Sequence, residues 1–236
     1  FQTGGGGPSL AVARYVRDYM KSNSIKGSYC IGGITGYMAD MLKDGLFKTL
    51  FDVQSFDAAV TDSILHNPNH MEVDSSWYAN PFNKGCLVND LDVVVLAALD
   101  VDVDFNVDVL TGHDGILRGA SGGHSDTAAG AKLSLITIPS MRNGVPSIRE
   151  RVQTVVTPGE TVDVIVTERG ISVNPKREDL MARLKDSGIP IKDIHKLKED
   201  IESITGIPDE VPFEDEIDGV VEYRDGTIID SIRKIK

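Results

Sequence analysis

GASGGHSDTAAGAK, residues 119–132, runs without a break into LSLITI, residues 133–138. Small residues at this density let a main chain come close to a ligand and leave N–H groups free to point at a developing oxyanion. The apolar run behind them has the length and the Ile content of a strand. Working outward, the same order of apolar run, glycine cluster and helical pattern recurs. Gly4, Gly5, Gly6 and Gly7 precede Pro8, after which Leu10, Ala13, Val16 and Met20 fall on one helical face. Gly32, Gly33 and Gly36 stand between a strand at residues 28–31 and a helix at residues 37–43 that Gly45 ends. Three glycine-rich strand-to-helix turns imply a site at the ends of strands.

The intervening segments extend the pattern. Residues 49–54 read as a strand and residues 58–65 as a helix, and LDVVVLAA (91–98) as a central strand covered on both faces. The fold class expected is α/β, an open and mostly parallel sheet flanked by helices. Residues 67–84, with Pro68, Pro81 and several Asn, read as a long irregular loop. TPGE (157–160) predicts a type II turn between two Val-rich strands. Residues 176–186 read as a helix closed by Gly188, and Ile194, Leu197, Ile201 and Ile204 as a second one ended by Gly206. Asp225-Gly226 signals a closing hairpin. Residues 1–236 are therefore expected to form one domain, with 151–236 a C-terminal extension carrying hairpins and two helices. Phe1 opens the chain within what reads as a strand end, so the sequence reads as the second half of a longer polypeptide.

Composition excludes some classes. With 36 acidic against 24 basic residues the net charge is -12, which argues against nucleic acid or an anionic membrane surface as partner. No apolar run reaches membrane-spanning length, and no signal peptide is expected. Two cysteines, Cys30 and Cys86, make no disulfide framework and fit a reducing cytoplasm; Cys30 reads as a buried small hydrophobe.

Several patterns look chemical and fail on spacing. The Asp/Val run from Asp100 to Asp108 resembles a calcium loop, but the sixth and twelfth positions hold Phe105 and Thr111, or Val107 and His113 in the other register. Its alternation reads instead as a strand with one wet face. His66 and His70 have the spacing of a zinc helix, yet Pro68 interrupts it, and no metal is expected. The leading glycines fit neither a dinucleotide fingerprint nor a P-loop; a phosphate or pantetheine chain could still sit there, or the turn is merely tight. Asp57, just past a strand, is either a catalytic group or a helix N-cap. His124 and Asp126 lie inside the glycine-rich turn and are the stronger candidates, the alternative being that one of them only caps the helical turn that follows. Arg142, Arg149 and Arg151 form either a solvated face or a recognition surface for carboxylates and phosphates.

Together GGHSDTAAGAK, FQTGGGG with SLAVA, GGITGYMADML, FDVQSFD, YANPFNKG, LDVVVLAALDVDVDFNV, VVTPGETVDVIVTERG and VNPKREDL resemble the coenzyme A transferase superfamily, and within it the citrate lyase alpha family, nearly end to end. The resemblance implies a CoA-transferase-like fold. It also implies an exchange in which acetyl, held as a thioester on the CoA-like phosphopantetheine arm of an acyl carrier (gamma) subunit, is replaced by citrate. Citryl thioester and acetate result, and a beta subunit cleaves the former, so an oligomeric complex is expected. One departure matters: Val53-Gln54-Ser55 is kept, but Phe56 and Asp57 occupy the Glu and Asn places of the segment that carries the covalent glutamate in related transferases. Direct attack by a citrate carboxylate through a mixed anhydride is the implied alternative, with Asp57 orienting a carboxyl group or replacing the glutamate. Gly122 and Gly123 are then the expected oxyanion donors, and Arg118, Arg142 and His124 the cations that gather carboxylates. Ser121 is expected among the substrate-binding residues and Asp126 among the catalytic ones, while Gly4, Gly5, Gly6, Gly7, Gly32 and Gly33 line the pantetheine arm. The rivals are another carboxylate CoA-transferase, an acyl-CoA hydrolase, and a scaffold half without catalysis.

Overall fold

The computed structural model describes residues 1–4 and 7–236. The chain folds into two compact units, Phe1–Ala97 with Gly130–Leu133, and Ala98–Ala129 with Ser134–Lys236.

The first unit runs β1 (Gln2–Thr3), α1 (Gly7–Ser22), β2 (Gly27–Ile34), α2 (Gly36–Lys43), β3 (Phe47–Ser55), α3 (Ala58–His66), β4 (His70–Glu72), α4 (Ser75–Ala79) and β5 (Val93–Ala97). β1 pairs with β5, and β2, β3 and β4 lie side by side in that order; all three pairings are parallel. Met20 of α1, Ile34 of β2, Met38 and Met41 of α2, Leu50 of β3 and Val60 of α3 meet in one apolar core. Burial of six such side chains supplies the drive that holds helices to the strands.

Two expectations are corrected here. Gly32 and Gly33 are not in the turn before α2: they are the last part of β2, which runs on to Ile34 with an irregularity between them. The irregular loop expected at 67–84 contains β4 and α4. Turn chemistry explains β4 and α4, since Asn67 Oδ1 accepts from Asn69 N at 3.0 Å and Asn69 O receives Leu50 N. Asp74 then caps α4 through Trp77 N at 2.7 Å.

The second unit contains β6 (Asp100–Asp102), β7 (Val107–Asp108), α5 (His124–Gly130), β8 (Leu133–Thr137), β9 (Met141–Arg142), β10 (Val145–Pro146) and β11 (Ile148–Arg149). β12 (Val164–Thr167), β13 (Gly170–Val173), α6 (Glu178–Leu184), α7 (Ile194–Thr205), β14 (Phe213–Glu222) and β15 (Ile228–Ile235) follow. β8 is parallel to β12, which turns back on β13; β6 is parallel to β11 and antiparallel to β7. α7 lays the fully buried Leu197 and Ile201 on β10, β11 and β13. β14 and β15 form the hairpin that Asp225-Gly226 signals, with Gly226 at φ +89°.

The wet-faced strand is also corrected. Asp100, Asp102 and Asp108 are buried, and the run breaks into β6, a turn through Phe105 at φ +67°, and β7. Asp102 accepts from Asp104 N, Asn106 N, Asn106 Nδ2 and Val152 N, so its charge is met by donors and not by water. TPGE likewise makes a 3-10 turn over Gly159–Thr161, preceded by a single bridge from Thr157 to Val107 instead of a strand. Glycine stands there because a Cβ on Gly159 would lie 1.9 Å from Asp104 O.

Candidate functional site

Asp108 builds the loop that leads to the glycine-rich turn. Fully buried, its Oδ1 accepts from Leu110 N at 2.7 Å and Thr111 N at 2.9 Å, and its Oδ2 from Thr111 Oγ1 at 2.7 Å and Gly112 N at 3.0 Å. Leu110 O in turn receives Arg118 N at 2.7 Å and Gly119 N at 3.1 Å, closing the loop on itself. A side chain at 119 is excluded, since its Cβ would meet Val109 O at 2.1 Å.

Beyond that clamp, residues 119–122 are exposed. Gly122, at φ +48°, turns the chain into α5, where His124 N donates to Ser121 O at 3.0 Å. The amides of Gly122 and Gly123 donate to no described residue. His124 Nδ1 is 2.6 Å from the buried hydroxyl of Thr157, which fixes one edge of the ring. Asp126 lies 3.4 Å from Arg224 Nε; burial raises its carboxyl pKa and the guanidinium partly opposes the rise. These residues form one local arrangement: two unengaged N–H groups, a positioned imidazole and a carboxylate held by an arginine.

Arg118 and Arg142 come together elsewhere in the same unit, on a cleft of about 290 Å³ also lined by Asp100, His113, Asn143 and Ser147. Arg118 pairs with both oxygens of Asp114, at 2.5 Å for Nη2, and donates to Thr111 O at 3.1 Å. That pair holds the Asp114 carboxyl well below its ordinary range. Arg142 is carried by the β9–β10 hairpin, whose two-residue turn Asn143-Gly144 has both φ angles positive, +50° and +79°. Its Nη2 donates to Ala98 O at 2.7 Å. The three arginines of the sequence cluster separate: Arg149 packs behind Asp100, and Arg151 lines a different, polar cleft with Gln153 and Arg233. Asp100 and His113 are the cleft residues that sequence reasoning missed. The Asn-Gly pair after Arg142 is a readable hairpin signal that would have fixed Arg142 on a rigid element.

In the first unit Asp57 caps α3, its Oδ1 accepting from Ala59 N at 3.0 Å and Val60 N at 3.2 Å. Oδ2 accepts from Gly36 N at 2.7 Å, so one carboxylate ties the starts of α2 and α3 together. Gly32 packs on the Gln2 side chain and Gly33 on the Phe56 ring, where an added Cβ would be 2.8 and 2.2 Å from the nearest atoms. Gly4 donates to Val95 O at 2.9 Å and Gly7 opens α1; Gly5 and Gly6 lie outside the described residues. His70 is buried between Ser63 Oγ at 2.9 Å and Asp52 Oδ2 at 3.4 Å, while His66 sits on the surface beside Asp62. Burial pushes the Cys30 thiol up to about 12. Among the described residues no group of three or more His, Cys, Asp or Glu side chains is placed to hold a metal ion. Among them, too, no helix is long and apolar enough to cross a membrane.

Residues 1–235 match the family described as citrate lyase, alpha subunit (CitF). The citrate lyase alpha chain of Klebsiella pneumoniae is 52% identical over 235 residues, covering 100% of this chain and 46% of the relative. That of Escherichia coli strain K12 is 48% identical, with the same coverage. A crystal structure described as the alpha subunit of citrate lyase from Streptococcus mutans, in complex with citrate, superposes with a TM-score of 0.97 at 46% identity, over 100% of this chain and 46% of that one. A Pseudomonas malonate decarboxylase hetero-tetramer shares the fold alone, at a TM-score of 0.57 and 15% identity over 87% of this chain and 42% of its own. The chain thus spans about half the length of the curated relatives it matches. From its first residue to its penultimate one, the chain belongs to the citrate lyase alpha subunit family.

Proposed function

We propose that this chain takes part in the exchange of acetyl for citrate on a carrier-bound thioester, as part of a citrate lyase complex with beta and acyl carrier subunits. The observation that carries this is the family match over residues 1–235. Citrate as the acceptor draws support from the citrate complex of the Streptococcus mutans relative. The thioester arm supplies an acetyl group already activated for attack.

The chain's own residues have three tasks. Gly122 and Gly123 present amides without a described acceptor on an exposed turn, which suits the oxyanion formed when a carboxylate adds to the thioester carbonyl. Arg142 and Arg118, on one cleft, suit the carboxylates of citrate, Arg118 exchanging its Asp114 partner for one of them and presenting the guanidinium fork to a planar anion. His124, steadied by Thr157, adds a third group that can donate. A citrate carboxylate oxygen bonds to the acetyl carbon and the C–S bond breaks, giving a mixed anhydride and a thiolate. The thiolate then bonds to the citryl carbonyl carbon and the C–O bond breaks, releasing acetate. Each step moves one electron pair in and one out, and water must be kept away because it competes for the same carbonyl. Asp57, whose carboxylate receives three backbone N–H groups, acts as a cap and not as a nucleophile.

Loss of acetyl thioester is measured with and without citrate. Citrate-dependent loss with stoichiometric citryl thioester supports the exchange; citrate-independent loss makes the protein a hydrolase. Full activity after replacing both Asp126 and Gly123 would assign a scaffold role instead.

A further inference from the structure

The arginine cleft holds one group that a plain anion site would not contain. Asp100 is 5% exposed and lines the cleft together with Arg118, Arg142 and His113. Its Oδ2 has no hydrogen-bond partner among the described residues. The nearest cation behind it, Arg149 Nε, is 3.6 Å away, beyond hydrogen-bond reach, and Arg149 Nε and Nη2 are themselves unpartnered there. The neighbouring Asp102 and Asp108 saturate themselves with local N–H groups, whereas Asp100 has only the charge of Arg149 behind it and no hydrogen bond to Oδ2. A carboxylate set among carboxylate-binding cations repels a simple polycarboxylate. It attracts one only if the ligand brings a donor to it.

We infer that Asp100 is a specificity-determining residue that selects hydroxy-carboxylates, its carboxylate accepting the hydrogen bond of a ligand hydroxyl while Arg118 and Arg142 take the ligand's carboxylates. This rests on the proposal that the cleft holds citrate, and it adds the reason that a hydroxylated acid is chosen over its deoxy analogue. Sites built around a buried polar group discriminate strongly against ligands lacking its partner, because the group is then left unpaired. Repulsion between Asp100 and the ligand carboxylates strengthens that rejection.

The test compares citrate with propane-1,2,3-tricarboxylate, which differs only by the missing hydroxyl. Calorimetric titration of the full-length protein at about pH 8.5, above the pKa of about 7 that burial gives Asp100 so that its carboxylate is ionised, is expected to show citrate binding at least ten-fold more tightly. In Asp100→Asn the ratio of the two dissociation constants should fall to about three or less, because the anion that penalises the deoxy acid is gone. A merely structural role would shift both constants by one factor and leave the ratio intact, and that result overturns the inference. Equal binding of the two acids by the unsubstituted protein also overturns it. Should Asp100→Asn not fold, a citrate soak of crystals of the unsubstituted protein decides: a citrate hydroxyl within about 3.2 Å of an Asp100 oxygen supports the inference, and one turned away refutes it. Arg142→Lys separates the two levels of the argument. If it leaves citrate affinity unchanged, the cleft is not the citrate site and both fall; if it weakens citrate while the Asp100→Asn ratio holds, only the selectivity role falls.

Discussion

Replacing Asp108 with Asn tests whether a single buried carboxylate organises the approach to the glycine-rich turn. In its better orientation Asn keeps Oδ1 for Leu110 N and Thr111 N, and puts an NH₂ where Oδ2 receives Gly112 N and Thr111 Oγ1. The threonine hydroxyl can reverse its role, although it is also bonded to Thr154 Oγ1 at 2.9 Å. The Gly112 N–H cannot, and an orphaned buried amide costs about 1–3 kcal/mol. The two remaining bonds lose their charge assistance, about 1 kcal/mol each. Together these give roughly 3–5 kcal/mol, and Asp108→Ala, which leaves three amides without an acceptor, should cost about 5 kcal/mol or more. In a protein of this size 3–5 kcal/mol lowers the unfolding midpoint by roughly 10 °C or more. Thermal unfolding followed by far-UV circular dichroism reads it directly. A drop below about 2 °C for Asn would mean that the four bonds do not bear on stability, and the reasoning about the loop would fail.

Three further outcomes follow from the same structure. Gly119→Ala forces a methyl against Val109 O, where the Cβ would be 2.1 Å away, so the loop must shift: stability should fall by about 1–3 kcal/mol in urea titration and exchange activity should drop with it. Burial raises Asp100 from its ordinary 3.8 to about 7, with Arg149 opposing and Asp108 adding to the rise. The folded state then holds a proton that the unfolded chain releases. The stability of the unsubstituted protein relative to Asp100→Asn should therefore decline between about pH 4 and pH 7, by up to about 4 kcal/mol, and stay level above; a flat difference in urea midpoints across that window refutes the assignment. Asp57→Asn keeps a good N-cap, so it should cost only about 1 kcal/mol and retain the exchange, and the unsubstituted protein should show no acyl adduct on Asp57 by mass spectrometry. Abolished exchange in that variant together with such an adduct would establish the covalent route.

Much of the architecture was legible because its signals are local. The helix read at 58–65 is observed as Ala58–His66, and the second C-terminal helix begins at Ile194 and stops before Gly206, since N-caps, apolar spacing and a terminal glycine all act within a few residues. The Asp/Val run was not legible, because alternation looks the same whether the acids face water or fold inward onto backbone amides. Only the arrival of Val152 N on Asp102 and Thr154 on Thr111, both distant in sequence, decides it. The same holds for the arginines. Neighbours on the chain, Arg142, Arg149 and Arg151 serve three places: the chain reverses after Arg142 at the β9–β10 hairpin, and β11 then carries Arg149 alongside β6. Two glycines of the turn have local reasons that the sequence reading did not name: Gly122 has φ +48°, and a Cβ on Gly119 would press against Val109 O.

The most direct test of the account is a crystal structure of the full-length protein with an acyl thioester bound. The thioester carbonyl oxygen is expected within about 3.2 Å of the Gly122 or Gly123 amide nitrogen. A carbonyl seated away from both amides, with the 119–123 turn unoccupied, would contradict it.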